Sequence, residues 1–490
     1  MQYPSGKADD QLFSVDASKS GISEPLAQQI NLLVSSLSQV ITEQAGRELL
    51  SVGRNLINLC TADEGSDKNR GCGDAARIIE GLDLTSITTL LKSFTAMFHL
   101  INQSEKQEIV RINRERARAS TVDAPRSESI DEAIRRLKLR GWSASRVESL
   151  LSRIDIQPTF TAHPTEARRR SILYKQQAIA RILSRLQEAA LTPGETEDAL
   201  AEIHHQISLL VATDEVRSSD MRVESEVEHG LYFIRNAIWE TLPRIQHDIR
   251  RAMSRHFGVS PDLKPVIRLR SWIGSDRDGN PFVTPDITLH TAAIHRQTVL
   301  EMYLSDLRHL RRDLSVSDRQ QEIPAELRAS IEHDASQIDL PELVTGTYRH
   351  EPYRMKISYM MARVRHLLGE DIMAGVPTKG PGAAYQASEF VADLELLWRC
   401  LAETRVGDVI HASRLEQLLD RARTFGFHLA ALDIRQHSGV LGEAVAELMR
   451  VAGVTDRYED LSESEKQELL TVELQSRRPL VAVDAILPAV

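Results

Sequence analysis

Over residues 25–60 the apolar positions recur at intervals of three and four. Ile30, Leu33, Leu37 and Ile41 come first, then Leu49, Leu50, Val52 and Leu56. That spacing lines one face of a helix and predicts a long amphipathic helix. The polar stretch at 62–74, ADEGSDKNRGCGD, reads as a loop. Helical patterning resumes from Ala75 through Ile78, Ile79 and Leu82, and again over about 87–110. The segment 113–129 is charged and poor in apolar residues, so it reads either as a solvated helix end or as a linker. Further helices are expected over 172–186, 355–368 and 387–401. Residues 1–23 are polar and expected to be loose.

Three segments break this text with period-two alternation. They are 154–162 (Ile154, Ile156, Phe160 and Ala162 on one face), 265–273 (Ile267, Leu269 and Ile273) and 425–436 (Phe427, Leu429 and Ala431, then Asp433 and Arg435). Isolated strands separated by long helices point to parallel β/α units, because parallel pairing needs a crossover. Each segment runs into a polar cluster at its C-terminal end, where β/α folds bind ligands.

Composition narrows the class. Hydrophobic residues make up 42% and charged residues 27%, a globular balance. Sixty basic against seventy acidic residues leave a net charge of −10, which argues against a general nucleic-acid binder. Aromatics at 5% are few for a β-sandwich. Cys60, Cys72 and Cys400 form no C-x-x-C pair, so neither a disulfide framework nor a cysteine zinc site is expected. The N-terminus lacks the apolar run of a signal peptide, and no stretch holds the ~18 uninterrupted apolar residues of a membrane span. The expectation is a soluble, cytoplasmic protein with no membrane partner.

The first polar cluster is Thr161-Ala162-His163-Pro164-Thr165-Glu166, followed by Arg168, Arg169 and Arg170. Pro164 suits the first turn of a helix, which puts His163 at a strand–helix junction beside exposed N–H groups. A histidine there serves as acid/base or anion contact, or simply caps the helix. The second is Gly274-Ser275-Asp276-Arg277-Asp278-Gly279-Asn280-Pro281. It positions a phosphate-binding arginine or a metal, or is a turn bonded to its own backbone. In the third, Asp433 and Arg435 stand on an apolar strand, where charges need either each other or a ligand. A weaker segment, His350-Glu351-Pro352-Tyr353-Arg354, reads as a helix start. No P-loop, G-x-G-x-x-G, H-E-x-x-H or serine nucleophile elbow occurs.

Together, FTAHPTEARRRSIL, SWIGSDRDGNPFVT, LDIRQHS, EPYR and LLVSSLSQVITEQAGRELL resemble the phosphoenolpyruvate carboxylase family, in order and over roughly residues 30–480. The resemblance implies a predominantly α fold with a β/α (TIM-type) barrel core, incomplete in this chain. It divides the chain into a loose 1–23, a helical 24–150 and, over 151–490, the first part of the barrel with long helical insertions. It implies formation of oxaloacetate and phosphate from phosphoenolpyruvate and bicarbonate, with Mg2+ or Mn2+, feeding the tricarboxylic acid cycle, in a homotetramer. By resemblance His163 is the catalytic histidine and Arg435 and Arg277 bind substrate. Thr165, Glu166, Asp276, Asp278 and Asp433 support them, Asp276 and Asp278 by orienting Arg277. No metal ligand is expected in this chain.

Family members run to about twice this length. The other half carries the acidic metal ligands, a catalytic lysine, further arginines and a mobile Gly-rich loop. Ser275 stands where a second glycine is usual, and His437 where an acidic residue is usual. Two readings follow. One is the N-terminal half of a carboxylase, inactive alone. The other is a non-catalytic helical scaffold or anion-binding remnant of that family.

Overall fold

A computed structural model describes residues 11–61, 68–161, 169–188, 191–214, 222–370, 372–373, 376–377, 385–405, 407, 413–477 and 479–481. The chain is predominantly helical and divides into two compact units. One is Met1–Glu132 with Pro164–Met221, the other Ala133–His163 with Arg222–Val490.

In the first unit, helices Glu24–Thr61, Leu84–Arg118, Arg170–Glu188 and Pro193–Val211 share one apolar core. Leu33, Leu37 and Ile41 meet Met97 and Leu100, Ile179 and Leu183, and Ile203 and Ile207 there. The first helix breaks at Gly46, whose φ of +86° is non-helical. Thr192 and Glu195 form a capping box that starts the last helix, with Pro193 in its first turn. Residues 170–211 belong to this unit, with Ile172, Ile179, Leu183, Ile203 and Ile207 buried in its core. Residues 11–23 are not loose. Leu12 is fully buried and its N–H donates to Ser38 Oγ (2.9 Å), while Asn31 bonds both N–H and carbonyl of Val15. Helix Lys68–Glu80 begins inside the stretch expected to be a loop. Helix Leu84–Arg118 runs into the charged segment and turns at Ala119, so 113–129 is part helix end and part link. That helix is long and apolar enough to cross a membrane by length and composition, with a mean hydropathy of 1.2 over 18 residues. Its Leu90, Met97 and Leu100 are buried within the unit, while Leu91, Phe98 and Ile109 are exposed.

In the second unit, helices Trp239–Phe257, Pro285–Asp313, Pro352–Leu367, Ala387–Ala402 and Arg414–Phe425 surround an aromatic core. Tyr303 sits at its centre against Trp239, Phe390 and Phe427. Three short strands, β1 (Thr159–Phe160), β2 (Arg270–Ser271) and, further on, β5 (Ala431–Leu432), form a parallel sheet in the order β1-β2-β5. Thr159 lies opposite Arg270, which lies opposite Ala431. A separate antiparallel pair joins β3 (Ile372–Met373) to β4 (Val376–Pro377). Among the described residues, β1 and β5 are the edges of the parallel sheet.

The parallel strands are where the alternation predicts them, but shorter. Single bridges at Ile156–Ile267 and Asp276–Arg435 extend the ladders. Residues 425–430 are no strand: Phe425 ends a helix, and Gly426 and Leu429 turn the chain with positive φ. Phe425, Phe427 and Leu429 alternate because the turn dips into the helical core, where all three are buried. Of the positions that share a face by alternation, Phe160 packs against the core while Ile156 is exposed.

Candidate functional site

The two faces of the parallel sheet differ. Leu269 and Ile273 of the β2 segment join the apolar core, while Arg268, Arg270 and Trp272 occupy the alternate positions. Those three organise a polar face. Arg268 Nε donates to Asp155 Oδ1 (3.0 Å). Arg270 bridges Gln157, through Nε, and Asp433, through Nη1 to Oδ1 (2.7 Å). The Arg435 guanidinium lies over the Trp272 ring at 4.0 Å.

Arg435 is tied down at the C-terminal ends of β2 and β5. Its N–H donates to the Ser275 carbonyl (3.3 Å) and its own carbonyl accepts from the Arg277 N–H (2.9 Å). Nη1 meets Asp276 Oδ2 at 2.9 Å, and Nη2 lies 3.8 Å from Asp278 Oδ2. With 40% of its side chain exposed, the guanidinium keeps an accessible edge while its plane is fixed by Trp272. An anion arriving on that edge meets a preoriented fork. Asp433 and Arg435 do not pair with each other; each is matched by a residue of the β2 segment.

Gly274 makes this approach possible. Its φ is +78°, and a Cβ there would lie 2.2 Å from Thr291 Oγ1. Ser275 next to it is fully buried, its Oγ 3.0 Å from the Asp433 carbonyl, so the serine in place of a glycine fastens β2 to β5. His437 caps helix Ser438–Val451, its Nδ1 accepting from the Gly439 N–H (3.1 Å).

Asp276 and Asp278 direct their carboxylates to Arg435, where the family resemblance had implied Arg277. Arg277 instead donates from Nη2 to Thr288 Oγ1 (3.3 Å), and its buried Nε has no hydrogen-bond partner among the described residues. The structure thus brings Asp276, Arg277, Asp278, Asp433 and Arg435 together. His163, Thr165 and Glu166 lie outside the described residues, which stop at Thr161 just beyond β1. Trp272 and Arg270 are the members that sequence reading missed. Their signal was present, since 268, 270 and 272 share one face by the same alternation that exposed Leu269 and Ile273. Among the described residues no group of three or more His, Cys, Asp or Glu side chains is placed to hold a metal ion. Arg354, in the EPYR segment, bonds the Arg311 and Arg312 carbonyls from the first turn of its helix.

Comparison with known proteins gives a consistent picture. The family described as phosphoenolpyruvate carboxylase matches residues 26–488. A phosphoenolpyruvate carboxylase of Rhodothermus marinus is 50% identical over 469 residues, covering 96% of this chain and 50% of that protein. One from Thermus thermophilus is 36% identical over 94% of this chain and 49% of its own length. One from Corynebacterium glutamicum is 31% identical over 93% and 49%. The chain spans about half the length of these relatives.

Proposed function

The chain belongs to the phosphoenolpyruvate carboxylase family, and from that premise we propose that it is the N-terminal half of an enzyme that makes oxaloacetate and phosphate from phosphoenolpyruvate and bicarbonate. A bicarbonate oxygen attacks phosphorus and the bond to the enol oxygen breaks, leaving carboxyphosphate and the pyruvate enolate. Carboxyphosphate releases CO2 and phosphate, and the enolate carbon takes up the CO2. Arg435 holds the phosphate or carboxylate of the substrate on its exposed edge, and Arg277 adds a second cation. His163 handles the carboxyphosphate proton, supported by Thr165 and Glu166. Asp276, Asp278 and Asp433 hold the arginine framework.

The three parallel strands are, on this reading, the first of a β/α barrel that the second half closes, which would cover the open edges at β1 and β5. The reaction class uses a divalent metal, Mg2+ or Mn2+. The described residues do not fit one: Asp276 and Asp433 already neutralise Arg435 and Arg270. No step is therefore assigned to a metal held by this chain. A cytoplasmic homotetramer replenishing the tricarboxylic acid cycle completes the proposal.

The observation that carries it is Arg435, preoriented on Trp272 at the strand ends. In the enzyme completed by its second half, Arg435→Lys keeps the charge and loses the fork. The KM for phosphoenolpyruvate should rise about tenfold or more, the scale of a lost charge-assisted hydrogen bond, with a smaller change in kcat. An unchanged KM in a folded variant would remove Arg435 from substrate binding.

A further inference from the structure

We infer that the second unit carries a binding site for an aliphatic diamine, in a cavity at the end of the parallel sheet opposite Arg435. The cavity has a volume of about 290 Å³. Helices Trp239–Phe257, Ala387–Ala402 and Arg414–Phe425 line it, together with Ser260, Pro261 and Asp262 of the connection into β2. That connection reaches β2 at its N-terminal end, and Arg423, in the last turn of Arg414–Phe425, likewise precedes β5. Asp276 and Arg435 follow the same two strands, at their C-terminal ends. The inference does not depend on the proposed carboxylation.

The cavity gathers more carboxylates than it neutralises. In its buried part Arg250 holds Asp420 with two bonds, Nη1 to Oδ1 (3.0 Å) and Nη2 to Oδ2 (2.5 Å), and its Nε lies 3.2 Å from Glu416 Oε1. Nearer to solvent Arg423 is shared between Asp262, at 2.5 and 3.2 Å, and Glu395, at 2.8 Å. The third lining arginine, Arg399, is turned to Glu326 (2.8 Å). Among the described residues, then, four lining carboxylates share two guanidiniums, in two groups that each keep one negative charge in excess. His247, 3.6 Å from Glu416, adds a charge only when protonated. Burial first, and the Glu416 charge after it, push the Asp420 carboxyl above its usual range against the opposing pull of Arg250. A purely structural network in the same unit looks different: Lys356 and Arg363 meet Asp334 and Asp393, two cations for two carboxylates. Excess negative charge around a cavity is relieved by a bound cation.

The walls select an organic cation. Trp398, Leu419 and Pro261 line the same space. They suit a chain of methylenes, and an indole is the aromatic side chain that best accommodates a cation. An ammonium at each end of that chain meets one of the two carboxylate groups, whereas a monoamine leaves one group in excess. A bare metal ion is a poorer match, because no group of three or more His, Cys, Asp or Glu side chains among the described residues is placed to hold one.

Putrescine is the probe, titrated calorimetrically into the full chain at low ionic strength, with butylamine as a monocation and Mg2+ as a compact dication. The expected result is salt-sensitive binding of putrescine, about tenfold or more tighter than butylamine and not displaced by Mg2+. The double change D262N/E395Q should weaken it about tenfold or more, while D276N/D278N, at the other end of the strands, should leave it unchanged. The Asp262 side chain is 78% exposed and that of Glu395 35%, so D262N/E395Q should keep the parent's thermal midpoint. Independently of any variant, putrescine should slow hydrogen exchange over residues 258–263 of the parent, read by mass spectrometry. The inference is overturned by absent binding, by binding indifferent to D262N/E395Q, or by binding lost with D276N/D278N. Butylamine binding as tightly as putrescine, displacement by Mg2+, or unchanged exchange over 258–263 overturns it equally.

Discussion

At the scale of single residues, the place of Arg435 after a strand was legible and its partners were not. TAHPTE and DIRQ place His163 and Arg435 after strands on sequence alone. That Arg435 would rest on Trp272 and pair with Asp276 depends on strand register, which no local pattern specifies. For His163, His163→Asn in the completed enzyme should lower oxaloacetate formation at least ~100-fold, the scale of losing a general acid/base, with phosphoenolpyruvate binding much less affected. Near-normal turnover would remove it from the mechanism. His295, on helix Pro285–Asp313, gives a prediction about stability. It is 4% exposed, and burial above all, with repulsion from His428 added, holds its imidazole down at about 4 against an opposing backbone bond at Ala430. The unfolded chain takes up that proton near pH 6.5, the folded chain only near 4, so the unfolded state binds more protons in between. Stability should be independent of this group above pH 6.5 and fall as pH drops towards 4, by about 3 kcal/mol across the window. Urea unfolding at pH 7, 6 and 5 should show a shallower pH slope for His295→Gln than for the parent. Equal slopes would mean that His295 protonates as readily in the folded chain.

At the scale of elements, the helices followed their periodicity closely. The patterns at 172–186 and 387–401 became Arg170–Glu188 and Ala387–Ala402, because a buried stripe on a long helix leaves a repeated signal. The strands left weaker signals. Two-residue ladders offer few alternations, and at 425–430 a turn buried among aromatics imitated a strand. The element that matters most to the site is the turn after β2. Gly274→Ala would force a side chain into a positive-φ position and against Thr291, with the Cβ 2.2 Å from its Oγ1. The expected loss is about 2–4 kcal/mol of stability, measured by chemical unfolding, with weaker substrate binding because Ser275 and Asp276 shift together. A variant as stable as the parent would show that the turn relaxes without strain.

At the scale of the whole molecule, the linear order of segments misled where topology crosses back. Residues 170–211 belong with the N-terminal helices because their apolar faces are completed there, and order along the chain carries no trace of that. The family was legible from the motifs; the half-length was legible only against longer relatives. At the strand ends Arg270 and Arg435 stand paired with Asp433 and Asp276. The central claim is that these residues are half of one catalytic unit. The direct measurement is oxaloacetate formation by residues 1–490 at saturating phosphoenolpyruvate, bicarbonate and Mg2+, with and without the C-terminal half of the Rhodothermus marinus relative added in trans. The account predicts no turnover from the chain alone and turnover when the second half is supplied, abolished again by His163→Asn. Turnover by the chain alone, or none from the reassembled pair under conditions where the two halves associate, would contradict it.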